Sequence, residues 1–174
     1  MRVLIFALAI AGLTACSSHK TTVQTSEGSA TVTTSQDDKN VTVSTGEGTT
    51  SIGERADAAK LGAPIYPGAQ ADQQGSISTT SDKGTSTIAA FKTADAFEKV
   101  YEYYKQQLPA DAEKMKVSST NGSVVSFQIG GESSSDEVSV QVSSDKPNET
   151  DILITHVVRS AGPAAATPAP TPSA

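Results

Sequence analysis

The sequence predicts an α+β fold, in which an antiparallel sheet of about four to six strands carries one helix packed across it, in the order β-β-α-β-β-β-β. Three observations predict it. One apolar stripe with helical spacing runs through residues 94–108. Segments on either side of it alternate apolar and polar residues, and short Gly, Asn and Asp clusters separate them. The fold is assigned to residues 61–159. Residues 1–15 read as a signal peptide, 16–60 as a tether or weak β-meander, and 160–174 as a disordered Ala/Pro/Thr tail.

Met1-Arg2 gives a minimal positive end, and Val3–Leu13 is an uncharged apolar run of eleven residues. A bilayer-spanning helix needs about 20 residues, so the run fits the core of a signal peptide. Leu13-Thr14-Ala15-Cys16 follows. An ordinary cleavage site wants small residues at the third and first positions before the cut, and Leu13 fits poorly at the third. The tetrapeptide resembles the lipobox of bacterial lipoproteins, an aliphatic residue and two small ones before a cysteine. The resemblance implies a diacylglyceryl group on the Cys16 thiol, cleavage before Cys16 and acylation, palmitate included, of the new amine. A thiolate is the nucleophile such a transfer needs, and two or more acyl chains anchor stably where one would be marginal. The competing reading is a secreted protein cut after Ser18. By the same resemblance, Ser17 after the lipidated cysteine implies the outer membrane, facing the periplasm, in a Gram-negative host.

Residues 17–60 are Ser, Thr, Gly and small charged residues, with Val23, Val32, Val41, Val43 and Ile52 as the large aliphatics. Spacings of 9, 11 and 9 from Val23 to Val32, Val43 and Ile52 suggest a meander with one sparse apolar face. Five aliphatics do not offset the entropy of ordering so long a segment, so it either pairs with an edge of the following domain or is a coil tether with ends about 35–40 Å apart. The tether or a marginal meander is favoured over an independent domain. Tyr66-Pro67-Gly68-Ala69 suits a type II turn. Residues 76–80 and 85–91 flank Ser81-Asp82-Lys83-Gly84 as a hairpin. Thr93 is placed to cap a helix over 94–108, with Phe97, Val100, Tyr101, Tyr104 and Leu108 on its stripe and Pro109 at its end. Strands at 114–119 and 123–129 join through Asn121-Gly122, and strands at 137–142 and 151–158 follow. The stretch from Ile65-Tyr66-Pro67-Gly68-Ala69 to Leu108 also resembles uncharacterised bacterial envelope proteins with a Y-P-G-A turn before such a helix. That resemblance implies no activity.

Thirteen Lys and Arg stand against 19 Asp and Glu, for a net charge of -6. Such a balance repels phosphate backbones, and no basic stripe carries interleaved aromatics, so nucleic acid is not an expected partner. One cysteine excludes an internal disulfide and a four-cysteine metal site. His156 shares parity with Ile152 and Ile154, which makes it a core or rim residue rather than a base, since nothing in the sequence supplies its orienting partner. No serine sits in a Gly-x-Ser-x-Gly elbow, and Asp37-Asp38 and Asp136-Glu137 read as solvated turns. No cofactor or metal is expected. Tyr103 falls off the helical stripe, and with Tyr66 it is a candidate contact for a partner peptide or glycan. The leading expectation is a membrane-tethered, non-enzymatic envelope module for a protein or cell-wall partner. A carrier of a small apolar or lipid ligand between helix and sheet is the alternative, and a hydrolase comes third.

Overall fold

Strands rich in Thr, Ser and Val, separated by short turns, fold back on one another in sequence order. The computed structural model describes residues 19–25, 28–35, 40–54, 57–131, 133–146 and 148–160. They form β1 (His19–Thr25), β2 (Gly28–Thr34), β3 (Val41–Thr45), β4 (Gly48–Glu54), α1 (Ala58–Leu61), β5 (Gln70–Ser81) and β6 (Gly84–Thr93). Helix α2 (Phe97–Gln107), β7 (Glu113–Ser119), β8 (Gly122–Ile129), β9 (Asp136–Lys146) and β10 (Glu149–Arg159) complete them. One antiparallel sheet holds all ten strands in the order β1-β2-β3-β4-β5-β6-β10-β9-β8-β7.

The expected sheet of about four to six strands under one helix is thereby corrected to ten strands and two short helices. The difference lies mainly in residues 19–54. They are four strands of the same sheet, with β4 paired to β5 through Ile52↔Ile77, and not a coil tether. Of the two outcomes left open for these residues, the edge pairing is the one the sheet shows, and no core of their own is needed. An existing strand edge offers them a backbone ladder instead, and cross-strand hydroxyl pairs support it: Thr42–Ser51 at 3.3 Å, Ser44–Thr49 at 3.2 Å and Thr22–Thr31 at 3.2 Å.

The core lies between α2 and strands β6, β10, β9 and β8, and its buried cluster begins at Leu61. Helix α2 contributes Phe97, Val100, Tyr101 and Tyr104, with Leu108 just beyond. It starts at Phe97, three residues later than expected. The Thr93 hydroxyl accepts from Asp95 N–H at 3.2 Å and shapes the turn before the helix, and the N-cap is Ala96, which offers no side-chain bond. Helix α1 is capped by Asp57 Oδ1 on Ala59 N–H at 3.0 Å and ends at Gly62, φ +64°. A Cβ there would stand 2.7 Å from Val138 Cγ2, so glycine lets α1 sit close on β9 with Leu61 fully buried beneath it. Among the described residues no helix is long and apolar enough to cross a membrane. The signal peptide, Cys16, Ser17, Asp37-Asp38 and the tail after Ser160 lie outside the described residues.

Candidate functional site

The turn Tyr66-Pro67-Gly68-Ala69 closes with Ala69 N–H on Tyr66 O at 3.0 Å, with Gly68 at φ +81°. That closure sets Tyr66 against the start of α2. The Tyr66 hydroxyl donates to Asp95 Oδ2 at 2.7 Å, and Lys99 Nζ stands 2.9 Å from both Asp95 oxygens. Thr150, fully buried, donates its hydroxyl to Asp95 O at 2.8 Å. Asp95 therefore ties the turn, α2 and the start of β10 together. The hydrogen bond from Tyr66, followed by that from Lys99, holds its carboxyl below the usual carboxylate range. Burial, then the Asp95 carboxylate, pushes the Tyr66 phenol up.

The structure brings the two sequence-derived contact candidates together. Tyr103 meets Tyr66 edge to face at 5.1 Å between ring centroids and meets Tyr104 the same way at 5.2 Å. Tyr103 is half-buried, with a long 3.4 Å bond from its hydroxyl to Ile65 O, whereas Tyr66 is buried. Off the helical stripe, Tyr103 is nonetheless half-buried, because Tyr66 packs against that flank of α2. The pair opens on a hollow of about 390 Å³ rimmed by Pro67, Asp95, Lys99, Glu102 and Gln106. A second hollow of about 430 Å³ shares Pro67 and Asp95 and extends to Lys92, Asn148 and Glu149. Aromatic edges beside an ion pair and amides can stack on and hydrogen-bond a sugar or peptide. They supply no nucleophile–base pair.

His156 lies on the core face of β10 and is half-buried, as its parity suggested. Its orienting partner, unreadable from sequence, is Asp136 on the next strand, with Nε2 at 2.8 Å from Oδ1. Nδ1 stands 2.7 Å from Lys60 O, and since a carbonyl only accepts, this nitrogen donates. Both ring nitrogens are thus taken up by the protein, and the ring clamps α1 to β9 and β10. The adjoining hollow of about 440 Å³ is walled by hydroxyls, among them Thr49, Ser51, Ser78, Thr80 and Thr87. Among the described residues no three of His, Cys, Asp and Glu converge as metal ligands would.

On the other flank of α2, Lys116 Nζ stands 3.6 Å from the Tyr101 ring centroid and 2.9 Å from Glu98 Oε2, while the Tyr101 hydroxyl donates to Glu113 at 3.1 Å. These contacts cover Tyr101 from the β7 side. Comparison with protein-family models, curated proteins and solved structures gives no match for this chain.

Proposed function

We propose that this chain is a bacterial envelope lipoprotein, anchored through lipid on Cys16, that works as a non-enzymatic binding or structural module. Leu13-Thr14-Ala15-Cys16 supports the anchor. The observation that supports binding is the Tyr66–Tyr103 pair opening on its hollow beside Asp95 and Lys99. A protein segment or cell-wall glycan is the ligand class that suits an aromatic wall with an amide and charged rim. The membrane is the other partner, with Ser17 favouring the outer membrane facing the periplasm in a Gram-negative host.

Only Ser17 and Ser18 separate Cys16 from β1, which begins at His19. Three residues reach about 10 Å at most, so an anchored chain would hold the β1 edge close to the headgroups. The carrier alternative needs a hollow between α2 and the sheet. Tyr104, Phe127, Val100, Val140, Ile152 and Ile154 fill that space. A hydrolase needs a free general base, and both nitrogens of His156 are engaged.

The test has two parts. Cys16→Ala is expected to leave uncleaved precursor and to abolish labelling by a radioactive or clickable fatty acid. A soluble Cys16→Ala protein of normal mature size would overturn the anchor. Crosslinking with mass spectrometry in intact cells then identifies what the folded part touches. Tyr103→Ala is expected to lose that crosslink while keeping its lipid, and retention of the crosslink would overturn the contact assignment.

A further inference from the structure

Alternation along the paired strands places Ala89, Ile154, Val140 and Phe127 beneath the helices and turns the residues between them to the opposite face. Both helices pack on the core side, and no described helix covers the other. Its centre is a cross-strand row in which Ile52 stands opposite Ile77 and Ile77 opposite Ile88, with Leu153 one strand further on. These four side chains are 38–40% exposed. The aliphatics of β2 and β3 extend the row, because their registers also turn Val32, Val41 and Val43 to this face. Those residues consequently add nothing to the core under α2.

The charges on this face stand at its two ends, most of them in ion pairs, with Asp145 beside Asp151 at the first. Lys92 lies 3.3 Å from Asp151 and 3.6 Å from Glu149 at one end, and Arg159 lies 2.7 Å from Glu137 at the other. The paired rows from β2 to β6 between them hold Val, Ile, Thr, Ser and Gly. A polar rim around an uncharged apolar centre is the anatomy of an interface held by its centre rather than by charge. The chain carries -6, so two copies repel wherever acidic surfaces meet, and the uncharged centre of this face is where they approach without like charges opposed. Strands about 4.8 Å apart and about five residues of common length give the ten-stranded face roughly 43 by 17 Å. That is about 730 Å², close to the ~800 Å² per partner of a stable interface.

We propose that two copies of this chain pack sheet on sheet through this face, as a symmetric dimer with the isoleucine row at its centre. Aligned packing near -30° would bring the two rows across one another and close a second layer over a sheet that has only one. The dimer depends neither on Cys16 nor on the Tyr66–Tyr103 hollow, so loss of lipid labelling or of a Tyr103 crosslink leaves it in place.

The experiment introduces single cysteines at Ile52, Ile77, Ile88 and Leu153 of the full chain in expressing cells, with the unsubstituted chain as control for Cys16. Mild oxidation is expected to link at least one variant into a species of twice the mass on a non-reducing gel. Thr80→Cys, exposed on the opposite face, is expected to stay single. Sedimentation of the purified protein is expected to show a dimer that Ile88→Asp weakens about a hundredfold, since each copy then presents a buried unpaired charge, while Thr80→Asp does not. Circular dichroism of Ile88→Asp must match the parent. A monomer at every concentration, or equal linking from Thr80→Cys, would overturn the dimer. So would protection of the row by lipid vesicles alone, or by residues 161–174 as shown by their deletion.

Discussion

The hydroxyl of Tyr66 donates a 2.7 Å hydrogen bond to the carboxylate of Asp95, across 29 positions of sequence, and so fastens the turn before β5 to the turn before α2. On the far side of the sheet Glu137 takes a 2.7 Å contact from Arg159, with Gln128 donating at 2.8 Å.

Both carboxyls are held below their ordinary range, Asp95 chiefly by Tyr66 and Glu137 chiefly by Arg159. A carboxyl depressed in the folded state adds stability that is present above its unfolded pKa of about 4 and is lost as pH falls through the folded value. The midpoint of urea unfolding is therefore expected to hold from neutral pH down to about pH 5 and to drop below about pH 4. In Asp95→Asn and Glu137→Gln the acid limb should be shallower, because each removes one proton-linked contact. An acid limb unchanged in both variants would place the linkage elsewhere.

Tyr104 is wholly buried, and its hydroxyl has no hydrogen-bond partner among the described residues. Burial, reinforced by Tyr103, pushes the phenol far above its ordinary value. Removing a buried hydroxyl that lacks a good partner costs little, so Tyr104→Phe is expected to match or exceed the parent in urea unfolding, within about 1 kcal/mol. Tyr101→Phe should go the other way, by about 0.5–1.5 kcal/mol, since it deletes the bond to Glu113. A Tyr104→Phe loss greater than that of Tyr101→Phe would mean that the Tyr104 hydroxyl has found a partner.

Strands β1 to β4 contribute no residue to the buried cluster, which begins at Leu61. They are held by ladder bonds and hydroxyl pairs, while β6 and β10 lie in the middle of the sheet with Phe91, Ile152 and Ile154 under the helices. Native-state hydrogen exchange is expected to rank accordingly: slowest amides in β6, β9 and β10, faster ones in β3 and β4, fastest in β1. Uniform protection from β1 to β10 would mean that something further covers the outer four strands.

Elements with their own internal signal were legible in the sequence. The residues on the helical stripe, Phe97 to Leu108, are the ones buried, and Asn121-Gly122 falls at the turn between β7 and β8. What failed to show were relations between segments. Thr42 and Ser51 carry no hydrophobic signal, yet they face each other in register because β3 and β4 had an edge to extend. Helix α1 is four residues long, too short for periodicity to register. Asp136 looked like a turn acid because nothing local reveals that β9 pairs with β10 so as to set it opposite Val158, beside His156. Tyr103 lay off the stripe and is half-buried all the same, since the Tyr66 turn reaches over that flank of α2.

The two tyrosines on opposite flanks of α2 separate core packing from the candidate contact. Tyr101 is 6% exposed, stacks with Phe97 at 6.4 Å and Phe127 at 6.2 Å, and lies beneath Lys116. Truncating a buried aromatic costs about 3–5 kcal/mol, a large share of the ~5–15 kcal/mol that holds a domain together. Tyr103 has two edge-to-face contacts, each contributing about 0.5–1.5 kcal/mol, but keeps part of its ring in water. Tyr103→Ala is therefore expected to lose about 1–2 kcal/mol, between a surface change and a core deletion. Urea unfolding of both variants, with unchanged slopes, measures the difference. A Tyr101–Lys116 double-mutant cycle adds a check, because an ammonium 3.6 Å from the ring centroid should couple to it by about 0.5–2 kcal/mol. Equal losses from Tyr101→Ala and Tyr103→Ala would mean that both flanks of α2 are core and that the Tyr66–Tyr103 hollow is closed to a partner. A folded Tyr103→Ala that binds nothing its parent binds would leave that hollow as the contact site.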